Sequence, residues 1–88
     1  MPIRFEWDPD KAARNVRSHG VSFEEATTAF DDPLSATIPD PDHSVSEERF
    51  ILIGLTTSGR LVVVAHTDEG DHIGIISARE ADPSERRD

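Results

Sequence analysis

The chain has no cysteine and no tyrosine, and only one lysine, one tryptophan and one methionine among 88 residues. Without cysteine it has neither a disulfide nor a thiolate metal site, as expected in a reducing cytoplasm. Long apolar runs are also missing. The longest, Phe50–Leu55 and Leu61–Ala65, fall far short of the roughly 20 residues that span a bilayer, so no membrane contact is expected. The opening MPIRFEWD carries charges where a secretory signal would carry an apolar core. Positive charge is scarce: nine Lys and Arg face 18 Asp and Glu, a net charge of −9. A general polyanion binder is thereby excluded, because the phosphate backbone would repel the chain as a whole. Eighty-eight residues provide for one domain, 1–88, whose small core gains from a partner subunit.

The scarce positive charge is unevenly placed. Residues 21–48 hold eight acids and no Lys or Arg, whereas residues 1–20 hold four basic side chains against three acids. Three of those four, Lys11, Arg14 and Arg17, fall within DPDKAARNVRSHG. The acidic middle fits a basic protein partner, or serves only to keep a small protein soluble.

Local patterning gives the elements. Pro2–Trp7 alternates Ile3, Phe5 and Trp7 against Arg4 and Glu6, a half-buried strand in which Trp7 packs toward a helix. Asp8 as N-cap, Pro9 at the first helical position and Gly20 after the last predict a helix over Pro9–His19. Helical periodicity puts Ala12, Ala13 and Val16 on an apolar face, and Lys11, Arg14, Asn15 and Ser18 opposite, with His19 at the border. Ser22 and Glu25 have capping-box spacing for a second helix with a Phe23, Ala26, Phe30 stripe, ended by Asp32-Pro33. A short strand with Leu34, Ala36 and Ile38 follows, then an irregular loop, Pro39–Ser46. Three strands come next, Arg49–Leu55, Arg60–Thr67 and His72–Ala78, joined by turns at Thr56–Gly59 and Asp68–Asp71. Asp82-Pro83-Ser84-Glu85 can cap a last short helix. The order β-α-α-β-β-β-β-(α) is that of an α+β fold, with two helices on an antiparallel meander of four or five strands.

Few residues point to chemistry on their own. Arg49, Arg60 and Arg79 lie at strand ends, where they form a phosphate fork if they converge and ordinary solvated ion pairs if they do not. Alternation puts Arg60, Val62, Val64 and His66 on one sheet face, and Ile73, Ile75, Ser77 and Arg79 on another; whether Arg49 and Arg79 meet depends on a register the sequence leaves open. His19, His43, His66 and His72 have no closed metal-site spacing, so no metal and no cofactor is expected. His19 at a helix C-terminus reads equally as a dipole cap. No phosphate-binding glycine loop, dinucleotide fingerprint or serine-nucleophile elbow occurs.

FEWDPDKAARNVRSHGVSFEEA, then Phe30-x-Asp32-Pro33, HSVSEERFILIG, GRLVVVAHT and IISAR, together resemble the BrnT family, the toxin halves of type II toxin–antitoxin systems, over about Phe5–Arg87. The resemblance implies a RelE-like fold and a cytoplasmic endoribonuclease that halts translation. It implies RNA cleavage without a metal, by attack of a 2′-hydroxyl on the neighbouring phosphate. It further implies a cognate BrnA-like antitoxin with a ribbon-helix-helix domain, a toxin–antitoxin hetero-oligomer, and operator DNA bound only through the antitoxin. By position in the family pattern, Arg60 and Arg79 would grip the phosphate, with Lys11 and His19 as supporting charge and acid/base candidate. Arg14, Glu47 and Arg49 would contact substrate. Three departures remove charge or a stacking surface from that pattern: Gly74 and Ser18 stand where basic residues are usual, and no aromatic residue follows Arg86-Arg87. The alternative is therefore a catalytically weak member that acts mainly as an antitoxin-binding co-repressor.

Overall fold

The computed structural model describes residues 3–40 and 48–82. Strand β1 (Arg4–Glu6) leads into helix α1 (Pro9–His19) and helix α2 (Phe23–Thr28), which tightens into a 3-10 turn at Ala29–Asp31; β2 (Ala36–Pro39), β3 (Arg49–Leu55), β4 (Leu61–Asp68) and β5 (His72–Glu80) follow. The five strands form one sheet in the order β1-β5-β4-β3-β2. The meander β2 to β5 is antiparallel, while β1 pairs parallel to β5 through Arg4, Phe5 and Glu6 against His72, Ile73 and Gly74, so the sheet is mixed. The α+β class and all seven expected elements within the described residues are present. The expected C-terminal helix and the loop residues 41–47, which include His43 and Glu47, lie outside them.

The helix ends follow the sequence closely. The Asp8 side chain accepts the Asp10 amide at 2.8 Å, and Gly20, at φ 69°, closes α1 by donating its amide to Val16 O at 2.8 Å. Glycine adopts that left-handed conformation without the steric cost a Cβ would bring. Ser22 Oγ accepts the Glu25 amide at 3.0 Å. The reciprocal half of the capping box is not made: the Glu25 carboxylate points away from its own helix terminus to the β3–β4 turn.

The core lies between α2 and one face of the sheet. Val21, Phe23, Ala26 and Ala29 pack on Leu52, Val62, Val64, Ile75 and Ala78, with Phe5, Trp7, Ala12, Phe30 and Ile73 at its margin. Trp7 meets Phe23 edge to face at 5.9 Å.

Two expectations about faces are corrected. In α1, Val16 is 47% exposed, Ala13 is exposed, and the buried residue is Asn15. Hydrophobic periodicity misassigned this face because Asn15 satisfies its whole carboxamide on backbone: Nδ2 donates to Val21 O (2.8 Å) and Ala78 O (2.7 Å), and Oδ1 accepts the Ala78 amide (3.1 Å). A polar group satisfied in this way can be buried without the desolvation penalty of an unpaired one. In β5, Ala65 pairs with Ser77 but His66 pairs with Ile75, leaving Ile76 as the extra residue of a β-bulge. The bulge breaks the expected alternation. Ile73 and Ile75 join the core, while Ser77 and Arg79 turn to the opposite face.

Candidate functional site

That opposite face carries the second residue of each strand pair. Ile51, Val63 and Ala65 form its centre, and Ser77, Ala78 and Arg79 of β5 with His19 of α1 close a shallow hollow of about 120 Å³ over them. Helix α1 lies along β5 with its Lys11, Arg14 and Ser18 stripe turned toward the bulged Ile76, and these residues, with Asn15 and His19, line an adjoining open hollow. On the other side, Arg49 and Asp40 flank Ile51, Ala65, Ile76 and Ser77. The three hollows share walls, so Lys11, Arg14, His19, Arg79 and Arg49 border one continuous surface whose floor is apolar.

Sequence position put these groups on separate segments. Three features of the fold bring them together: α1 covers β5 where β1 does not, the bulge turns Ser77 and Arg79 outward, and β3 and β5 both flank β4. Arg79 pairs with Val63 and Arg49 with Thr67 across β4. That is a four-residue offset along the strands, about 13 Å between backbone positions at the rise of a strand. Arg79 Nη1 lies 3.8 Å from Asp82 Oδ2 and donates to Glu80 O at 3.3 Å.

Arg60 lines none of these three hollows. Its Nε and Nη2 donate to the two oxygens of Glu25 at 3.0 and 2.7 Å, Nη2 also reaches Gly20 O at 2.8 Å, and Nη1 stands 3.7 Å from Glu80. This is the fork-to-fork geometry in which arginine binds a carboxylate most strongly. The Arg60 guanidinium, with help from the hydroxyls of Ser58 and Thr56, holds the Glu25 carboxyl down at about 2. Of the residues expected at the site, the fold gathers Lys11, Arg14, His19, Arg49 and Arg79. It sets Arg60 into an ion pair at the end of β4, and Glu47 lies outside the described residues.

The other described histidines, His66 and His72, line none of these hollows. His66 is buried, edge to face with Phe30 at 4.9 Å and stacked on Phe50 at 6.0 Å, and burial pushes its imidazole below the ordinary value. His72 bonds Asp71 at 2.8 Å and stands 3.6 Å from Glu6. Among the described residues no three His, Asp or Glu side chains cluster as a metal site, and no helix is long and apolar enough to cross a membrane.

Sequence reasoning overlooked Glu25 as the partner of Arg60, because the capping-box spacing assigned its carboxylate locally while its partner lies 35 residues away. It also left Asn15 on a polar face and Ser77 on the wrong one. No local signal marks a helix asparagine that will meet a strand 63 residues on, or the residue at which a strand bulges.

Comparison with known proteins bears on the family and the fold. Residues 7–85 match the family described as the ribonuclease toxin, BrnT, of type II toxin–antitoxin systems. The fold is similar to the crystal structure of the Brucella abortus ribonuclease toxin BrnT, with a TM-score of 0.71 at 24% identity, covering 92% of this chain and 99% of that one. No curated protein sequence matches.

Proposed function

Because the chain belongs to the BrnT family of ribonuclease toxins of type II toxin–antitoxin systems, we propose that the hollow between His19 and Arg79 is where it cuts RNA. The observation that carries this reading is the meeting of an imidazole and a guanidinium over an apolar floor, with Lys11 and Arg14 alongside, in a chain of net charge −9. Concentrating the few cations in one place gives a local attraction for phosphate that the whole-molecule charge opposes.

The chemistry is a metal-independent transesterification. The 2′-oxygen attacks the adjacent phosphorus, the bond from phosphorus to the 5′-oxygen breaks, and the products are a 2′,3′-cyclic phosphate and a 5′-hydroxyl. One proton leaves the 2′-hydroxyl and one reaches the departing oxygen. His19 takes one of these roles, since it borders the hollow and its imidazole carries ring nitrogens able to accept or donate a proton. Arg79 faces the phosphate oxygens, where negative charge grows in the transition state. Lys11 and Arg14 hold the strand on one side. Arg49, at the start of β3, contacts the RNA on the other side, and Glu47 keeps the substrate-contact role that the family resemblance implies, without a described position. Arg60 supports the site from outside: its donors are taken by Glu25 and Gly20.

The rest of the reading follows the family. The fold is RelE-like, the target is RNA in translation, and the compartment is the cytoplasm. A BrnA-like antitoxin with a ribbon-helix-helix domain neutralises the toxin in a hetero-oligomer that touches operator DNA only through the antitoxin. The acid-rich stretch 21–48 suits a basic antitoxin segment, an association that salt would weaken. A second reading, a weak nuclease acting as co-repressor, draws on Gly74, which stands where the family resemblance implies a basic residue and where a Cβ would meet Thr67 Oγ1 at 2.7 Å.

Inducing the chain alone and together with its antitoxin, and following growth and RNA integrity, tests both. Growth arrest with RNA carrying new 5′-hydroxyl ends, abolished by His19→Ala and by Arg79→Ala, is the expected result. Arrest that survives both substitutions overturns the site. Intact RNA and normal growth with wild type, alongside operator binding by the complex, favours the co-repressor.

A further inference from the structure

We propose that Asn15 is a positioning residue that sets the His19 end of α1 against Arg79. This rests on the reading of the His19–Arg79 hollow as the cleavage site.

Strand β1 pairs with β5 only at residues 72–74, so beyond that point, among the described residues, the outer edge of β5 has no strand beside it. At Ala78 the Asn15 carboxamide takes a strand's place: it accepts from the Ala78 amide and donates to the Ala78 carbonyl, as a paired peptide would. Covering an open edge in this way keeps other chains from pairing with it. The third bond, from Nδ2 to Val21 O, fixes the turn that follows α1.

These attachment points sit directly beside the proposed reacting groups. Ala78 precedes Arg79 in sequence. Asn15 stands one helical turn before His19, and Gly20 and Val21 follow His19. The Gly20 carbonyl is held in turn by Arg60 Nη2. His19 is thus braced on both sides, and its distance from Arg79 is fixed chiefly through one buried side chain that is 6% exposed. An apolar residue at position 15 could pack but could not fix the helix along its axis, because apolar contacts have no preferred direction. An ångström of slip in such a site is enough to cost about a hundredfold in rate.

The test compares Asn15→Ala and Asn15→Ser with wild type on a short RNA oligonucleotide, using folded protein quantified by its melting transition. The serine variant is neutral and keeps one hydroxyl that donates or accepts in place of the carboxamide's three bonds, so it serves if the alanine variant does not fold. The separation of the His19 and Arg79 Cα atoms, read in a crystal structure of each folded variant, is compared in parallel with wild type. A fivefold or greater fall in kcat, a KM within threefold of wild type and a separation changed by about an ångström or more are expected. A kcat within fivefold of wild type in a folded variant, or an unchanged separation, overturns the proposal. If wild type cuts no RNA, the function reading alone fails, and the separation still decides whether Asn15 places His19.

Discussion

The two faces of the sheet are made from alternate residues of the same strands, yet they share neither chemistry nor purpose. Under the helices, Leu52, Val62, Val64, Ile75 and Ala78 meet Phe23 and Ala26 in a close-packed core. On the other face, their neighbours Ile51, Val63, Ala65, Ser77 and Arg79 form an open floor bordered by cations. The same contrast separates two arginines at strand ends. Arg60 spends its donors on Glu25 and Gly20 at 2.7–3.0 Å, whereas Arg79, with longer contacts to Asp82 and Glu80, borders the hollow beside His19. Residue type therefore does not decide whether an arginine is tied into the fold or borders the hollow. What decides it is the carboxylate the fold brings within reach and the face to which the strand turns it.

The contrast between the faces is broken most severely from the core side. Phe23→Ala removes a fully buried ring and is expected to cost about 3–5 kcal/mol, a large share of the stability of a chain this size. Urea unfolding measures it, and a loss below about 1 kcal/mol would mean the core is not where these contacts put it. On the open face the expected effect is in rate instead. Arg79→Ala should lower RNA cleavage by about a hundredfold or more, in line with the loss of one transition-state donor, with the melting temperature moved by only a few degrees. Arg60→Lys should do the reverse, lowering the melting temperature because an ammonium cannot reproduce the fork on Glu25, while cleavage per folded molecule falls only severalfold. If Arg60→Lys and Arg79→Lys lost cleavage equally, the division between the two arginines would fail.

Gly74→Arg sharpens the comparison by adding a basic side chain to β5. Its Cβ would press on Thr67 Oγ1, so a cost of about 1–3 kcal/mol is expected from the overpacking. Pairing it with Thr67→Ala should recover part of that cost in the same melting assay. The smallest effects come from pH. The Glu25 carboxyl titrates at about 2 in the fold against an ordinary 4.5. Its contribution is thus present in full above about 4.5 and is lost as pH falls toward about 2. Glu25→Gln should be less stable than wild type at neutral pH and lack that acid-dependent segment. Buried His66 has the opposite charge logic: its imidazole is held neutral below the ordinary 6.5, so the unfolded chain takes up the proton first and stability falls as pH drops through about 6.5. His66→Phe should flatten that slope in melting curves taken between pH 5 and 7.

Much of the fold was legible because its signals are local. Asp8-Pro9 and Gly20 bound α1 at the residues expected, Ser22 starts α2, and the three long strands lie within two residues of their expected limits. The candidate site was legible only in part. The resemblance to the family named His19, Arg79, Lys11, Arg14 and Arg49, and the fold brings these to one surface. It also named Arg60, which the fold commits to Glu25. The alternation rule placed Arg79 with Ile73 and Ile75, and the bulge at Ile76 separates them.

By itself the sequence determined the elements, their order and the scarcity of cations, since caps, turns and alternation act over a few residues. The tertiary structure decided which face each strand residue took after the bulge, that Asn15 would be buried, and which arginine would be bound by a carboxylate. Those outcomes depend on contacts between residues 35 and 63 positions apart, and no local pattern along the chain encodes which distant partner a side chain will meet.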